Sequence, residues 1–126
     1  MIVGIGTDIC QLSRIEKLLK SSKREAFLKK TFTNEEVEAL PSINREVSYF
    51  AGRWAAKEAV AKSLGTGFGA HCRWLDITIR KNDKGAPQVI LKDLTKETAE
   101  SMNIERIHVS ISHEKDYATA FCVAES

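Results

Sequence analysis

The chain has 126 residues, 43% of them hydrophobic and 29% charged, a composition typical of one soluble globular domain spanning residues 1–126. No apolar segment reaches the roughly 20 residues of a membrane span, which excludes a membrane-embedded class. The net charge of +2 is too small to predict nucleic-acid binding from composition.

The first third of the chain predicts one strand and three short helices. Residues 2–9 alternate apolar and small side chains, which is typical of a strand that ends at the acid in position 8. Apolar residues at helical spacing predict a helix over 12–22, and a second short helix is expected over 24–30. Thr33 followed by Glu36 is the capping-box pattern that opens a third helix.

The rest of the chain predicts a long helix and two hairpins. Asn44 is the expected N-cap of the longest helix, which ends at a C-terminal glycine, Gly65. Alternating residues and turn sequences predict four strands, over 74–80, 88–91, 107–112 and 117–124. A short helix capped by Asp93 is expected over 93–102.

This order of elements predicts an α+β fold. We expect a single domain in which a largely antiparallel sheet packs against one long and several short helices. The last strand is apolar on both faces, so it should be covered on both sides, by helices or by another subunit.

Residues 11–30 carry seven basic side chains and only two acidic ones, although the whole chain is close to neutral. On the first predicted helix, Arg14, Lys17 and Lys20 lie opposite the leucines and point outward together. Charge alone leaves two interpretations open: an anionic partner docks here, or a lysine-rich face is solvated.

Three cysteines, Cys10, Cys72 and Cys122, lie far apart without a CxxC motif, which argues against a disulfide framework and a zinc module. Two of them fall in apolar strand-like runs, so we predict inert, buried thiols. Reduced thiols, and a first segment without the basic residues of a secretory signal, are expected of a cytoplasmic protein.

Two carboxylates stand at unusual positions. Glu58 falls within the apolar stripe of the longest helix, where an unpaired charge is costly unless it binds a metal. Lys62, one turn later, offers an ordinary ion pair as the alternative. Asp8 ends the first strand, where it either caps the next helix or joins Glu58 in supplying hard oxygens to Mg²⁺. A magnesium site would imply phosphoryl or nucleotidyl chemistry.

The remaining motifs are less specific. The glycine-rich loop from Gly65 lacks the P-loop and dinucleotide patterns and follows a helix, so only the N–H groups of residues 65–67 are left to meet an anion. His108 and His113 are five residues apart, which places them on opposite faces of one strand and excludes a shared metal. A serine–histidine hydrolase is excluded because no GxSxG elbow is present.

Three segments resemble the signature blocks of bacterial holo-[acyl-carrier-protein] synthases. They are GIGTDI at 4–9, FAGRWAAKEAVAKSLGTG at 50–67 and HVSISH at 108–113. The segments FLKKTFTNEEVEAL and DITIRKNDKGAPQVIL are also similar, so the resemblance covers nearly the whole chain. This family of 4′-phosphopantetheinyl transferases moves 4′-phosphopantetheine from coenzyme A to a serine of apo acyl carrier protein. It uses Mg²⁺ and releases adenosine 3′,5′-bisphosphate, in the service of fatty acid biosynthesis.

The resemblance implies roles for residues already noted. Asp8 and Glu58 match the metal-binding acids and, with Lys62, are the expected catalytic residues. The positions that match coenzyme A contacts are Arg53, Lys62, Gly65, Thr66, Gly85, Pro87, Ser112 and His113. The expected carrier-protein docking surface consists of Arg14, Lys17, Arg24 and Phe27. Members of the family are typically homotrimers with active sites between subunits, which agrees with a last strand that is apolar on both faces.

Three residues depart from the family pattern: Trp54 replaces a commoner phenylalanine, Asn34 a proline, and Ala86 a lysine beside the nucleotide. Two other functions remain as alternatives, a non-catalytic carrier- or nucleotide-binding module of the same fold and an RNA-binding domain. Retention of both acids and Lys62 speaks against the first. The scarcity of aromatic residues in the basic segment speaks against the second, so we expect neither a nucleic acid nor a membrane as partner.

Overall fold

All strand pairs are antiparallel and belong to two sheets. The structure, a computed structural model, describes all 126 residues. Its strands are β1 (Ile2–Gln11), β2 (Ile77–Lys81), β3 (Pro87–Leu91), β4 (Arg106–His113) and β5 (Tyr117–Glu125). Its helices are α1 (Leu12–Leu19), α2 (Arg24–Thr31), α3 (Asn34–Glu38), α4 (Glu46–Ser63) and α5 (Asp93–Ser101). The larger sheet has the order β1-β5-β4, and β2 and β3 form a separate hairpin. The predicted α+β class is confirmed, and no helix is both long and apolar enough to cross a membrane.

Helix α4 crosses one face of the larger sheet at very short range, because the facing side chains are small. A Cβ atom added to Gly4 would lie 2.0 Å from the backbone oxygen of Ser63, and one added to Gly6 2.0 Å from that of Ala59. Only glycine permits such an approach. The helix is lined with fully buried alanines, and its close packing on β1 brings the acid of that strand next to the acid and the lysine of α4.

The opposite face of the same sheet is open to solvent. Alternate residues of β5, from Ala118 to Ala124, are buried against α4, whereas the residues between them point away. Phe121 is 49% exposed, and Ile9 of the paired strand β1 is 63% exposed. The expectation that β5 is covered on both sides therefore holds for one face of the single chain, and the other face is left as an exposed apolar surface.

Helix α4 begins differently from the prediction. A short 3₁₀ turn, Ile43–Arg45, precedes it, and Arg45 occupies the N-cap position without a side-chain hydrogen bond. The predicted N-cap, Asn44, instead accepts a hydrogen bond from the Ser42 hydroxyl. The predicted end is confirmed: Gly65 follows the helix with a φ of +77°, in the left-handed region that favours glycine.

Three other predicted boundaries are wrong. Strand β1 continues to Gln11, because its pairing with β5 persists to Tyr117, so Asp8 lies inside the strand rather than at its end. Residues 74–76 form a 3₁₀ turn instead of a strand, since the buried carboxylate of Asp76 bonds to Thr95 of α5. The N-cap of α5 is Lys92, not Asp93, and no side chain caps this helix.

A buried ion pair joins three elements of the fold. The capping box of α3 is confirmed: the Thr33 hydroxyl accepts from the Glu36 N–H, and the Glu36 carboxylate accepts from the Thr33 N–H. The same carboxylate lies 2.6 Å from the ammonium of Lys57 in α4, and both side chains are fully buried. Its second oxygen accepts a hydrogen bond from the Ile79 N–H of β2. The pair therefore holds α3 and β2 against the middle of α4.

Candidate active site

Asp8 and Lys62 meet where β1 passes under α4. The Lys62 ammonium donates to the backbone oxygen of Thr7 at 2.9 Å and to the Asp8 carboxylate at 3.2 Å. Lys62 therefore pairs with Asp8, and the alternative of a Glu58–Lys62 ion pair is wrong. Asp8 does not cap α1 either, because Gln11 is the N-cap and no side chain bonds there.

The second carboxylate oxygen of Asp8 is the unusual feature of this site. It is buried, and no group of the chain donates a hydrogen bond to it. Glu58 lies close enough to Asp8 for the two carboxylates to repel each other. Burial first, and then the negative charge of Asp8, raise the pKa of the Glu58 carboxyl. The positive charges of Lys62 and Arg14 oppose that effect. Two neighbouring carboxylates with an unsatisfied buried oxygen form a position that favours a cation.

The donor set at this position fits Mg²⁺. Carboxylate oxygens are the ligands that this ion prefers, and it commonly takes only one or two from the protein, with water and substrate phosphate completing the shell. No histidine, cysteine or further acidic residue joins Asp8 and Glu58 to form a metal-binding group of three. The site therefore suits an ion whose remaining ligands come from water and a phosphate-bearing substrate.

The loop after α4 offers fewer anion-binding groups than its glycines suggest. The Gly65 N–H donates to the Lys62 carbonyl and the Gly67 N–H to the Ala61 carbonyl, which closes the end of the helix. Of the three N–H groups expected to meet an anion, only that of Thr66 has no partner within the chain. Asp8, Glu58 and Lys62 form one half of the site, the acid half. Gly65 and Thr66 are exposed just beyond Lys62 and extend this half.

A second group of predicted residues lines a separate cleft of about 290 Å³ between the first half of α4, the β2–β3 hairpin and β4. It contains Arg53, Gly85, Pro87 and His113. Two basic residues that the sequence analysis did not single out, Arg45 and Lys81, also line it, and no acidic residue does. Nothing in the local sequence distinguishes these two from solvated basic residues, because only the fold brings them together. The cleft is suited to a polyanion.

Arg53 is the most buried basic residue of this cleft, at 9% exposure. Its guanidinium carbon lies 4.1 Å from the centre of the Tyr49 ring, and its Nε is buried without a hydrogen-bond partner. No acidic side chain forms an ion pair with it, whereas Arg24, Arg80 and Arg106 each have one. Arg53 is therefore a buried cation whose charge the chain itself leaves unbalanced.

The two halves of the predicted coenzyme A site do not meet within one chain. Arg53 and Lys62 are nine residues apart on α4, which separates them by about 13 Å along the axis and places them on opposite sides of the helix. Ser112 and His113 point to opposite faces of β4: His113 is opposite the buried Ala118, and Ser112 is opposite Thr119 on the open face. Within one chain, these residues therefore face different sides of α4 and of β4.

The predicted docking residues differ in how free they are. Arg14 and Lys17 are exposed on α1, and the Arg14 guanidinium lies 5.2 Å from the centre of the Trp54 ring. Arg24 makes a two-fold hydrogen bond to the Glu46 carboxylate, at 2.8 and 3.1 Å. Phe27 packs edge-on against the core ring of Phe32, with the ring centres 5.6 Å apart. Arg14 and Lys17 are therefore free to bind a partner, whereas Arg24 and Phe27 already make contacts that hold the chain together.

A row of aromatic rings that the sequence pattern did not predict lies beside this surface. Trp54 lies 5.7 Å from Trp74, which in turn stacks on Phe68 with ring centres 3.8 Å apart. Trp54 and Glu58 are one turn apart on α4, so the row borders the side of the helix that carries the acid. The partners are 14 and 20 residues from Trp54, and no helical or strand period connects them.

The three cysteines are free and buried, which confirms the prediction of inert thiols. Burial raises the pKa of Cys10 and that of Cys72 to about 11, and it also raises the pKa of Cys122. None of them belongs to either half of the site.

Comparisons with known proteins show which family the chain resembles. A sequence model of the 4′-phosphopantetheinyl transferase superfamily matches residues 4–122. The holo-[acyl-carrier-protein] synthase of Hydrogenovibrio crunogenus is 41% identical over 126 residues, which cover 100% of this chain and 98% of that protein. The crystal structure of the enzyme from Neisseria meningitidis is 39% identical, with a TM-score of 0.91 and complete coverage of both chains. The Helicobacter pylori enzyme, solved in complex with coenzyme A, is 36% identical, with a TM-score of 0.83 and coverage of 96% and 99%.

Proposed function

The chain belongs to the holo-[acyl-carrier-protein] synthases of the 4′-phosphopantetheinyl transferase superfamily, and from this premise we propose how its residues bind and activate the substrates. The enzyme transfers 4′-phosphopantetheine from coenzyme A to a serine of apo acyl carrier protein. The serine oxygen bonds to the phosphorus that bears pantetheine. The bond from that phosphorus to the leaving adenosine 3′,5′-bisphosphate breaks.

We assign the metal to Asp8 and Glu58. The observation that carries this assignment is the buried Asp8 oxygen without a hydrogen-bond partner. When bound, Mg²⁺ supplies positive charge to the pyrophosphate of coenzyme A and lowers the cost of charge that develops on the leaving phosphate. Two protein carboxylates leave room for both substrate phosphate and water.

The chain's own residues handle the remaining charge and the proton. Lys62, held at the site by Thr7 and Asp8, offsets charge on the leaving phosphate, and Gly65 and Thr66 bind next to it. Glu58 accepts the proton of the serine hydroxyl. Burial, and then the negative charge of Asp8, raise the pKa of the Glu58 carboxyl above its ordinary value, and a raised pKa favours proton acceptance.

We place the adenosine end of coenzyme A in the basic cleft of a neighbouring subunit. Gly85 and Pro87 match the family positions beside the adenine, and they share this cleft with Arg53 and His113. The phosphate nearest the adenine is the 3′-phosphate, so this is the group that we assign to the cleft, with Arg45 and Lys81 as additional contacts. Ser112, on the open face of the same strand, contacts coenzyme A from a different side.

We propose that the protein is a homotrimer with active sites between subunits, as the family resemblance implies, and this division of the site supports the proposal. The exposed apolar face that includes Ile9 and Phe121 supports the same proposal, since a monomer would leave it in water. The closed ring of such a trimer joins the acid half of each chain to the cleft half of the next through a heterologous interface.

We propose that the carrier protein docks on α1 through Arg14 and Lys17, with Arg24 and Phe27 at the edge of the surface. The excess of basic residues in this segment supports an acidic partner. As a holo-[acyl-carrier-protein] synthase, the protein would serve fatty acid biosynthesis in the cytoplasm, without a nucleic acid or a membrane as partner.

The assignment is tested by incubating the protein with apo carrier protein and coenzyme A and following the carrier's mass. The phosphopantetheine increment should appear with Mg²⁺, disappear with a chelator and return when Mg²⁺ is restored. Glu58→Gln should lose the increment, and Glu97→Gln, at an exposed position of α5, is the matched control that removes a carboxylate elsewhere. Transfer that persists in the chelator would contradict the metal assignment, and no transfer under any condition would favour the non-catalytic module.

A further inference from the structure

The ring of Tyr49 forms one wall of the basic cleft and carries its most buried cation. Tyr49 and Arg53 are one turn apart on α4, and the guanidinium carbon of Arg53 lies 4.1 Å from the ring centre. The Arg53 Nε has no hydrogen-bond partner, and no carboxylate of the chain pairs with the guanidinium. The face of Tyr49 is therefore the principal contact that the chain offers to this charge.

Tyr49 is itself held in place by a chain of buried contacts. Its hydroxyl donates to the backbone oxygen of Glu36 at 2.5 Å, and its ring packs edge-on against Phe50 at 5.1 Å. The side chain of Glu36 is fixed in turn by the buried ammonium of Lys57. The ring that supports Arg53 is therefore fixed by buried, hydrogen-bonded neighbours in the core.

We propose that Tyr49 is a positioning residue for coenzyme A binding, which holds the guanidinium of Arg53 in the cleft ready to bind a phosphate. This inference rests on the proposed role of Arg53 in binding the 3′-phosphate. An aromatic face holds a guanidinium without engaging its N–H groups, which remain available to an anion, whereas a carboxylate partner would occupy those N–H groups and cancel the charge. A pre-positioned side chain also loses less conformational freedom when the ligand binds.

The test compares coenzyme A with 3′-dephospho-coenzyme A, which lacks the phosphate assigned to this cleft. In the oligomeric enzyme, Tyr49→Leu should raise the KM for coenzyme A about tenfold, with a smaller change in kcat. The KM for 3′-dephospho-coenzyme A should change little, so the preference for the 3′-phosphate falls. Tyr49→Phe, which keeps the ring and loses only the hydroxyl, should raise the KM for coenzyme A by no more than about threefold.

Arg53→Ala and the double variant separate this inference from the proposal beneath it. If Arg53→Ala leaves the KM for coenzyme A unchanged, the role of Arg53 itself is wrong. If Arg53→Ala raises the KM and Tyr49→Leu does not, the inference about Tyr49 alone is overturned. Tyr49→Leu should add nothing to Arg53→Ala, and two independent increases in KM would also overturn it.

A second variant series covers the case in which Tyr49→Leu does not fold. Phenylalanine with an increasing number of ring fluorines at position 49 keeps the shape of the ring while weakening the negative charge of its face. The KM for coenzyme A should rise with each added fluorine, and the KM for 3′-dephospho-coenzyme A should not. A series with a constant KM for coenzyme A would overturn the inference.

Discussion

Asp8 and Lys62 form a half-satisfied ion pair: the lysine ammonium lies 3.2 Å from one carboxylate oxygen, while the other oxygen is buried without a partner. A buried acceptor without a donor lowers the stability of the fold. The glycines of β1 make this cost possible, because they let α4 cover the carboxylate closely. The site is thus built at some expense to the stability of the metal-free chain.

Neutralising either acid should separate activity from stability. Asp8→Asn and Glu58→Gln should each lower the transfer rate by at least about a hundredfold, since the metal site loses one of its two protein ligands. The raised pKa of Glu58 means that its ionised form is disfavoured in the folded chain. The Tm of Glu58→Gln in a chelator should therefore equal or exceed that of the parent. Mass spectrometry and thermal unfolding measure the two effects, and a lowered Tm would point to structural damage instead.

Two variants impaired in different halves of the site should complement each other if the active site lies between subunits. Asp8→Asn damages the acid half and Arg53→Ala the cleft half, so a mixed trimer contains some interfaces with two intact halves. Equal amounts should recover about a quarter of the parental activity at limiting coenzyme A, for random assembly of a cyclic trimer. Co-expression with two affinity tags isolates the mixed trimers, in which one interface of the three is intact, so about a third of the parental activity is expected in that fraction. No recovery in a verified mixture would place both halves in one chain.

Charge reversal on α1 should weaken carrier docking selectively. Arg14→Glu combined with Lys17→Glu should raise the KM for the carrier protein about tenfold or more, and leave the KM for coenzyme A unchanged. Added salt should reduce the difference between the variant and the parent, because both residues are exposed. Lys96→Glu, on α5, is the control for charge reversal elsewhere. Equal increases in both KM values would contradict the docking assignment.

Arg24→Glu should behave differently from those two variants. It removes a bidentate hydrogen bond and places a second acid beside Glu46 at the start of α4. We expect a lower Tm, because the ion pair links α2 to α4 and both partners are partly shielded from solvent. Arg24→Gln, which removes the charge without adding an acid, should lower the Tm less.

Breaking the buried ion pair should cost far more stability than any surface change. Lys57→Met leaves the Glu36 carboxylate buried without its cation and should lower the free energy of unfolding by about 3–5 kcal/mol. Adding Glu36→Leu should recover part of that loss. Recovery should be incomplete, because the N–H groups of Thr33 and Ile79 lose their acceptor. Denaturant unfolding of the two variants measures both steps, and a loss below about 1 kcal/mol would contradict this account.

The local structure of the chain was readable wherever a short-range pattern determines it. The capping box of Thr33 and Glu36 and the left-handed Gly65 each depend on residues within one helical turn, and both are confirmed. The prediction for Asn44 was wrong because a 3₁₀ turn over Ile43–Arg45 shifts the start of α4 by one residue, so that Arg45 becomes the N-cap. Capping preference is a weak local signal that tertiary packing readily overrides.

The site was predictable in its members but not in its division. Asp8 and Glu58 stood out because each is a carboxylate among apolar or small residues, and the fold brings them together. That Lys57 is buried while Lys62 reaches the site cannot be read from the helix alone, since the partner of Lys57 is 21 residues away. Arg53 lies on the far side of α4 from Lys62, and the cleft around it forms only when the β2–β3 hairpin and β4 pack beside the helix.

The aromatic row gives the protein a built-in optical reporter. Trp54 and Trp74 are its only tryptophans, and their rings lie 5.7 Å apart beside Arg14 and one turn from Glu58. The tryptophan emission of the chain therefore originates at a single place, at the border between the docking surface and the acids. Arrival of a carrier protein can be followed there as a change in emission colour or intensity, without a dye. Relatives with phenylalanine at position 54 have one emitter fewer at this border.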